Sequence, residues 1–444
     1  MSAMKRYDWD ALSAEERVRL LERPALVDDV VLQKEVATIV QRVRRGGDAA
    51  LMALTQELDG IDLPNLSVSE QEFEKAESLL EKADRAAIRD AAANINLFHK
   101  AQLPETVSVE TAPGVRCERV SRPITVVGLY VPAGTAPLPS TALMLGIPAR
   151  LAGCTTRVLC SPPQPNGTVD PAVLYAARVC DISAVFKTGG VQAISAMAYG
   201  TESIPKVDKL FGPGNAWVTA AKTQVAQDPR GAALDLPAGP SEILVIADGN
   251  ANPVFVAADL LSQAEHGPDS QVILVTTSEN LLEAVLEAID QQQKRLSRRH
   301  IIKDSLAHSR AILVADMETA LNVSNQYAPE HLILQLENPN ELLDDVHAAG
   351  SVFLGPWAPE SVGDYCSGPN HVLPTYGFAR SYSSLGVTDF LRSMTVQSLT
   401  AEGLRNVGPI AERLAALEGL DAHGRAVRER LDALDEESAG MDLR

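Results

Sequence analysis

Apolar residues along this chain change their spacing twice, and each change marks a different kind of structure. Up to about residue 102 they recur at helical intervals among charged residues. Ser13-Ala14-Glu15-Glu16 is a capping box followed by Val18, Leu20 and Leu21, which predicts a short helical arm over 1–25. Residues 30–102 hold few β-branched runs and are expected to be mostly helical, with breaks at Gly46-Gly47 and Pro64-Asn65.

From Arg122 the rhythm becomes short apolar runs alternating with helical stretches. Strands are predicted at 124–131, 157–159, 184–186 and 207–210, with helices at about 141–153, 171–179, 191–199 and 215–226. Such alternation implies a mainly parallel sheet covered by helices. The pattern repeats over about 242–355, with strands at 243–246, 272–275, 311–314, 331–334 and 352–354. Residues 356–390 are loop-rich, and 408–437 return to helical spacing.

The expected fold is α/β: two tandem Rossmann-like, parallel-sheet domains with helical N-terminal and C-terminal extensions. The boundaries read from the pattern are an arm at 1–25 and a helical region at 26–122 packing with the second α/β unit. The first α/β unit follows at 123–238, the second at 239–380, and a C-terminal helical segment at 381–444. Two such units in tandem suggest a cleft between them, where α/β proteins usually bind ligands.

Charge narrows the partners. The formal net charge of −19 argues against nucleic acid or an anionic membrane and favours small molecules. Cysteines 117, 154, 160, 180 and 366 form no Cys-x-x-Cys pair, so they read as reduced thiols and not as a disulfide frame or a cysteine zinc site. Residues 1–10 contain no apolar signal segment, and no apolar run reaches the roughly 20 residues of a membrane span. A cytoplasmic protein is expected.

Candidate chemistry concentrates in a few places. Asn252-Pro253 should start a helix and Gly267-Pro268 should stop it. Gln263 and His266 then share one face of its last turn, flanked by Asp259 and Ser262, and look like half of a metal site. Glu330 and His331 stand where a strand begins. Adjacent Glu and His can handle protons near neutral pH, although the pair alone reads more readily as a solvated strand edge. Asp364 and His371, in a Gly- and Pro-rich loop, suit zinc or manganese; in isolation that loop could be purely structural. Glu418 and His423 lie near a helix end, where a histidine is more often a cap or a surface residue. Glycine-rich turns at Gly128–Gly134, Gly189-Gly190 and Gly212–Asn215 meet helix starts and could accept a phosphate, but none is a complete G-x-G-x-x-G.

Taken together, these motifs resemble the histidinol dehydrogenase family over essentially the whole length. The match is carried by Gly128-Leu129-Tyr130-Val131-Pro132, Phe211-Gly212-Pro213-Gly214-Asn215 and Pro237-Ala238-Gly239-Pro240-Ser241-Glu242. It is carried equally by Ser262 through Asp269, Pro329-Glu330-His331, Gly363-Asp364, and Asn370 through Pro374. The resemblance implies a zinc-dependent, NAD-linked enzyme of histidine biosynthesis that oxidises L-histidinol to L-histidine through L-histidinaldehyde, using two NAD. It implies one Zn2+ per subunit on Gln263, His266, Asp364 and His423, with His423 and Glu418 given to the partner's site in a homodimer. Substrate contacts would fall on Ser241, His331, Glu418 and the zinc ligands, with His371 nearby. NAD contacts would fall on Tyr130, Gln192 and Asn215, which assigns NAD to the first α/β unit and the zinc and catalytic residues to the second. Glu330 and His331 would be the catalytic pair. A dehydrogenase for another small polar alcohol, a zinc hydrolase using Glu330, and a non-enzymatic binding module are the competing readings. Glu265 and Cys366 receive no role.

Overall fold

The structure, a computed structural model, describes residues 4–24, 30–133, 136–237 and 239–441, with no side-chain burial described beyond 436. Gly134 and Ala238, members of two of the motifs above, lie outside the described residues, as do the ends of the proposed arm. In chain order the regular elements begin with β1 (Lys5–Asp8), α1 (Ala14–Leu20), α2 (Val30–Asp59), α3 (Glu70–Leu79) and α4 (Lys82–Lys100). Then come β2 (Val107–Ala112), β3 (Val115–Pro123), β4 (Val126–Tyr130), α5 (Pro139–Ala152), β5 (Thr156–Ser161), α6 (Pro171–Val179), β6 (Ala184–Lys187), α7 (Gly190–Tyr199), β7 (Lys209–Phe211), α8 (Ala216–Gln227) and β8 (Ala233–Leu234). The second series is β9 (Glu242–Ala247), α9 (Pro253–Ala264), β10 (Gln271–Thr276), α10 (Glu279–Gln292), α11 (Arg299–Ala307), β11 (Arg310–Leu313), α12 (Met317–Tyr327), β12 (His331–Gln335), β13 (Ser351–Leu354) and α13 (Glu360–Tyr365). The chain closes with β14 (Leu391–Leu399), α14 (Ala401–Glu418) and α15 (Asp421–Met441).

These elements form two compact units, Met1–Gln102 with Ile124–Phe390, and Leu103–Pro123 with Leu391–Arg444. The first unit contains both parallel sheets. One has five strands in the order β6-β5-β4-β7-β8 and the other six in the order β1-β11-β10-β9-β12-β13. The fold class is the expected α/β arrangement. Every residue of β9 and β10 is buried, which is why these strands carry unbroken apolar runs. In each sheet the strand order reverses beside a central strand, at β4/β7 and at β9/β12.

Two details differ from the expectations, while the break in α2 falls at the expected Gly46-Gly47. The helices of 26–122 pack on the first sheet, not the second: Val36, Val40, Val43, Leu51 and Leu54 share a core with Phe186, Ile194, Val218 and Val225. A stripe that apolar must be buried, and helices α7 and α8 supply the complementary surface. Helix α2 breaks at Gly47, whose φ of +50° only glycine adopts freely. Within the arm, Lys5–Asp8 is not helical but adds a parallel edge strand to β11.

The second unit is a three-stranded antiparallel sheet, β14-β3-β2, with helices α14 and α15. Its strands occupy stretches expected to be helical, at the end of 26–122 and the start of 381–444. Their side chains are mostly exposed or half-buried, so no apolar run announced them. Among the described residues, no helix is long and apolar enough to cross a membrane.

Candidate active site

In the first unit a pocket of about 380 Å³ is lined from both parallel sheets. The five-stranded sheet reaches it with the carboxyl ends of its strands and the turns that follow. Gly212, just after β7, has a φ of +123°, and a side chain there would run into the Tyr130 carbonyl oxygen. Its N–H donates to Asp235 Oδ2 at 2.8 Å, and the buried Lys222 ammonium donates to its carbonyl at 2.9 Å. Lys222 also pairs with Asp235. This clamp sets the path of Gly214 and Asn215 along the pocket wall. Asn215 caps α8, its Oδ1 accepting from Val218 N–H at 3.2 Å. Tyr130 and Gln192 are buried and do not line the pocket. The Tyr130 hydroxyl accepts from Gly190 N–H at 3.1 Å, and burial pushes its pKa up to about 12.

The six-stranded sheet reaches the pocket with the opposite edge, the amino ends of its strands. Helix α9 starts as expected, with Asn252 Oδ1 accepting from Val254 N–H at 2.9 Å and Pro253 in the first turn. Its last turn delivers Gln263, followed by His266, to the pocket. Asp364 comes from α13, packed so closely on β13 that a side chain at Gly363 would strike Phe353. Helix α13 also brings Glu360, one turn before Asp364 and on the same face. The sequence reading missed Glu360, although its four-residue spacing from Asp364 was a usable signal. Ligand atoms of His266, Glu360 and Asp364 all lie within 4.8 Å of one another.

Glu330 and His331 stand at the start of β12 and are held by the first residue of β9. Glu242 N–H donates to Glu330 Oε2 at 2.8 Å, and His331 Nδ1 donates to the Glu242 carbonyl at 3.1 Å. That bond leaves His331 Nε2 directed at the pocket, 3.4 Å from Asp364 Oδ1 and without a hydrogen bond. His371 bridges two walls: Nδ1 donates to the Asp364 carbonyl at 2.8 Å, and Nε2 lies 3.2 Å from Thr141 Oγ1. Both of its ring nitrogens are therefore engaged. Ser241 lines the pocket beside them.

The electrostatics are uneven. Burial pushes the Glu330 carboxyl up to about 8, against the opposing pull of His331. Burial beside Asp364 lifts Glu360 to about 8 as well. Burial would lower His331, but the carboxylates of Glu330, Asp364 and Glu360 outweigh it and raise the imidazole to about 10. Burial opposes ionisation of Asp364, yet its contact with His331 prevails and holds it below the usual carboxylate range. Three carboxyl groups thus surround one imidazole, and Gln263 Oε1, Glu360 Oε1 and His331 Nε2 are buried without partners. Orphaned oxygen and imidazole atoms beside clustered carboxyl groups fit a divalent cation. Oxygen and imidazole donors together suit zinc.

Glu418 and His423 lie in the second unit, exposed on either side of the turn between α14 and α15, where Gly419 has a φ of +69°. Cysteine chemistry is remote from this picture. Burial pushes the Cys154 thiol up to about 11 and the Cys180 thiol up to about 12.

Known proteins match this chain along nearly all its length. The family model described as histidinol dehydrogenase covers residues 22–431. A histidinol dehydrogenase of Vibrio vulnificus (strain YJ016) is 54% identical over 431 residues, covering 97% of this chain and 99% of its own. One from Xanthomonas campestris pv. campestris (strain 8004) is 55% identical over 428 residues, covering 96% and 99%. The crystal structure of histidinol dehydrogenase from Elizabethkingia anophelis superposes with a TM-score of 0.94 at 47% identity, covering 98% of this chain and 99% of its own. On these matches, and on a pocket that carries the family's motifs, the chain belongs to the histidinol dehydrogenase family.

Proposed function

We propose that this protein oxidises L-histidinol to L-histidine through L-histidinaldehyde, with zinc bound and NAD as acceptor, in the cytoplasm. The observation that carries this reading is the meeting of Gln263, His266 and Asp364 with Glu330 and His331 around one pocket in a member of this family. Gln263, His266 and Asp364 would hold the metal. When bound, zinc would orient the substrate through its amine and imidazole nitrogens, both good zinc donors. NAD, when bound, would accept the hydride, with Asn215 in the pocket lining for that role; Tyr130 and Gln192 are buried and do not line the pocket.

The proton chemistry falls to two adjacent side chains. His331 Nε2, freed of its proton once a bound cation offsets the carboxylates that hold it, takes the alcohol proton as the hydride leaves the carbinol carbon. The aldehyde then adds water, and Glu330 removes the proton from that water. A carboxyl near 8 is a much stronger base than an exposed glutamate once it is ionised. His331 gives its proton to the aldehyde oxygen as the hydrate forms, and is then free to take the hydrate's proton as the second hydride leaves. Ser241 and His371 would complete the substrate's surroundings, His371 mainly by holding Asp364 in place.

Glu418 and His423 we assign to the site of a second copy of the chain. Both are exposed, and Ile410, Leu414, Leu417 and Leu420 beside them are exposed apolar residues. The test of the whole reading is NADH formation from L-histidinol, with and without a chelator. Chelator-sensitive NADH production supports it; turnover of an ester or amide without NAD would replace it with a hydrolase.

A further inference from the structure

Behind Glu330 and His331 lies a buried ion pair that the proton chemistry above does not use. Arg23 follows α1, and its guanidinium forms a forked contact with Glu242: Nε to Oε1 at 2.5 Å and Nη2 to Oε2 at 2.8 Å. The same Nη2 donates to the carbonyl oxygens of Tyr327 at 2.8 Å and Ala328 at 3.3 Å. Its guanidinium carbon sits 3.9 Å from the centre of the Tyr327 ring. Neither Arg23 nor Glu242 lines the pocket.

Arg23 therefore grips both segments that hold the catalytic pair. One is Glu242, whose backbone N–H and carbonyl bind Glu330 and His331. The other is the turn at Tyr327–Ala328, where Ala328 has a φ of +53° and Pro329 leads straight into Glu330. We infer that Arg23 is a positioning residue for Glu330 and His331, acting through Glu242 and the Tyr327–Ala328 turn.

The physical reason is that the Glu242 side chain is only 3% exposed. Without Arg23 its carboxylate keeps the Tyr376 N–H, at 2.9 Å, and has no compensating charge. A stranded buried carboxylate must take up a proton or turn outward, and either response disturbs the backbone that aims His331. Lysine is a poor substitute, because one ammonium cannot span two carboxylate oxygens and two carbonyls as the planar fork does.

The inference rests on reading Glu330 and His331 as the proton-handling pair. The test uses the full-length, zinc-loaded protein and the variants Arg23→Lys, Arg23→Met and Arg23→Met with Glu242→Gln. Steady-state NADH formation from L-histidinol, zinc content, and exchange protection of the His331 imidazole N–H are measured, the resonance being assigned by its loss in His331→Asn. Small misplacements of reacting groups cost up to about 100-fold, so Arg23→Met should lower kcat at least ~10-fold. KM for L-histidinol should stay within about twofold and zinc content unchanged, since Arg23 touches neither the pocket nor the ligands, while the His331 N–H loses protection. The double variant should recover part of kcat, because no charge is stranded, and Arg23→Lys should fall between parent and Arg23→Met. Parent-like kcat with an intact His331 N–H in Arg23→Met overturns the inference. So does a fall in melting temperature with kcat per folded molecule unchanged. Should Arg23→Met fail to fold, Arg23→Lys decides on the same two readouts. A parent that makes no NADH from L-histidinol would sink the reading of the pair, while the N–H comparison would still decide the role of Arg23.

Discussion

The two parallel sheets of the first unit meet at the pocket with opposite edges. The five-stranded sheet contributes the carboxyl ends of its strands, where helices begin: Thr141 in α5, and Asn215 just ahead of α8. Helix N-termini offer free N–H groups and a partial positive charge, which suits the phosphates of a dinucleotide. The six-stranded sheet contributes the amino ends of its strands, where helices finish: Gln263 lies in the last turn of α9, His266 follows it, and His331 opens β12. A helix C-terminus is partially negative and favours a cation. Side-chain content follows the same division. The carboxyl edge brings glycine turns and a polar amide, while the amino edge brings imidazoles and carboxylates. Ligands of α/β proteins usually sit at carboxyl edges. Here that rule fits one sheet, while the other turns the opposite edge toward the pocket.

If this division of labour is right, substitutions at the amino edge should strike chemistry and metal, and those at the carboxyl edge should strike NAD. The largest loss is expected for His331→Asn: kcat should fall about 1,000-fold in both half-reactions, with the fold retained by circular dichroism. A smaller loss in only one half-reaction would break the shared role of His331. Glu330→Gln should slow aldehyde oxidation about 100-fold in single-turnover experiments while alcohol oxidation stays within a few fold. Equal loss in both steps would dissolve the split between the two residues. Gln263→Ala should weaken zinc binding at least ~10-fold by competition with a chromogenic chelator, leaving KM for NAD unchanged. Asn215→Ser, which keeps a helix cap, should do the reverse, raising KM for NAD a few fold with zinc content intact. A crossed pattern would show that the edges are not divided as described.

The smallest effect concerns pH. Glu330 is lifted from 4.5 to about 8 in the folded chain, so the native state holds a proton that the unfolded state releases. Stability from this group is complete below about pH 4.5 and is lost as pH rises through about 8. In metal-free protein, Glu330→Gln should therefore flatten the fall in melting temperature across that window. Identical slopes for parent and variant would contradict it. Cys117→Ala and Cys154→Ala should leave kcat within about twofold; a large loss would point to a covalent thiol step instead.

Much of this was readable in the chain, for identifiable reasons. Strands buried on both faces must be apolar throughout, so β9 and β10 announced themselves. Helix α9 carried its own start signal and delivers Gln263 as expected, but it ends at Ala264, two residues short of His266, which reaches the pocket from the turn that follows. Edge and half-exposed strands carry no such mark. Lys5–Asp8 joins a sheet only because β11 offers it a backbone ladder. The pairing of β3 with β14 joins residues such as Val115 and Leu399, far apart in sequence. Arg23 had no signal at all, being one arginine beside a proline in a short connection.

The sequence by itself determined the α/β class, the two repeating series of strands and helices, and the residue types able to bind a metal and move protons. Those follow from local periodicity and side-chain chemistry. Only the tertiary structure decided which edges face each other, that Glu360 joins His266 and Asp364, and that Arg23 and Glu242 hold Glu330 and His331 from behind. These depend on long-range packing and on buried charges finding partners, and neither leaves a periodic trace along the chain.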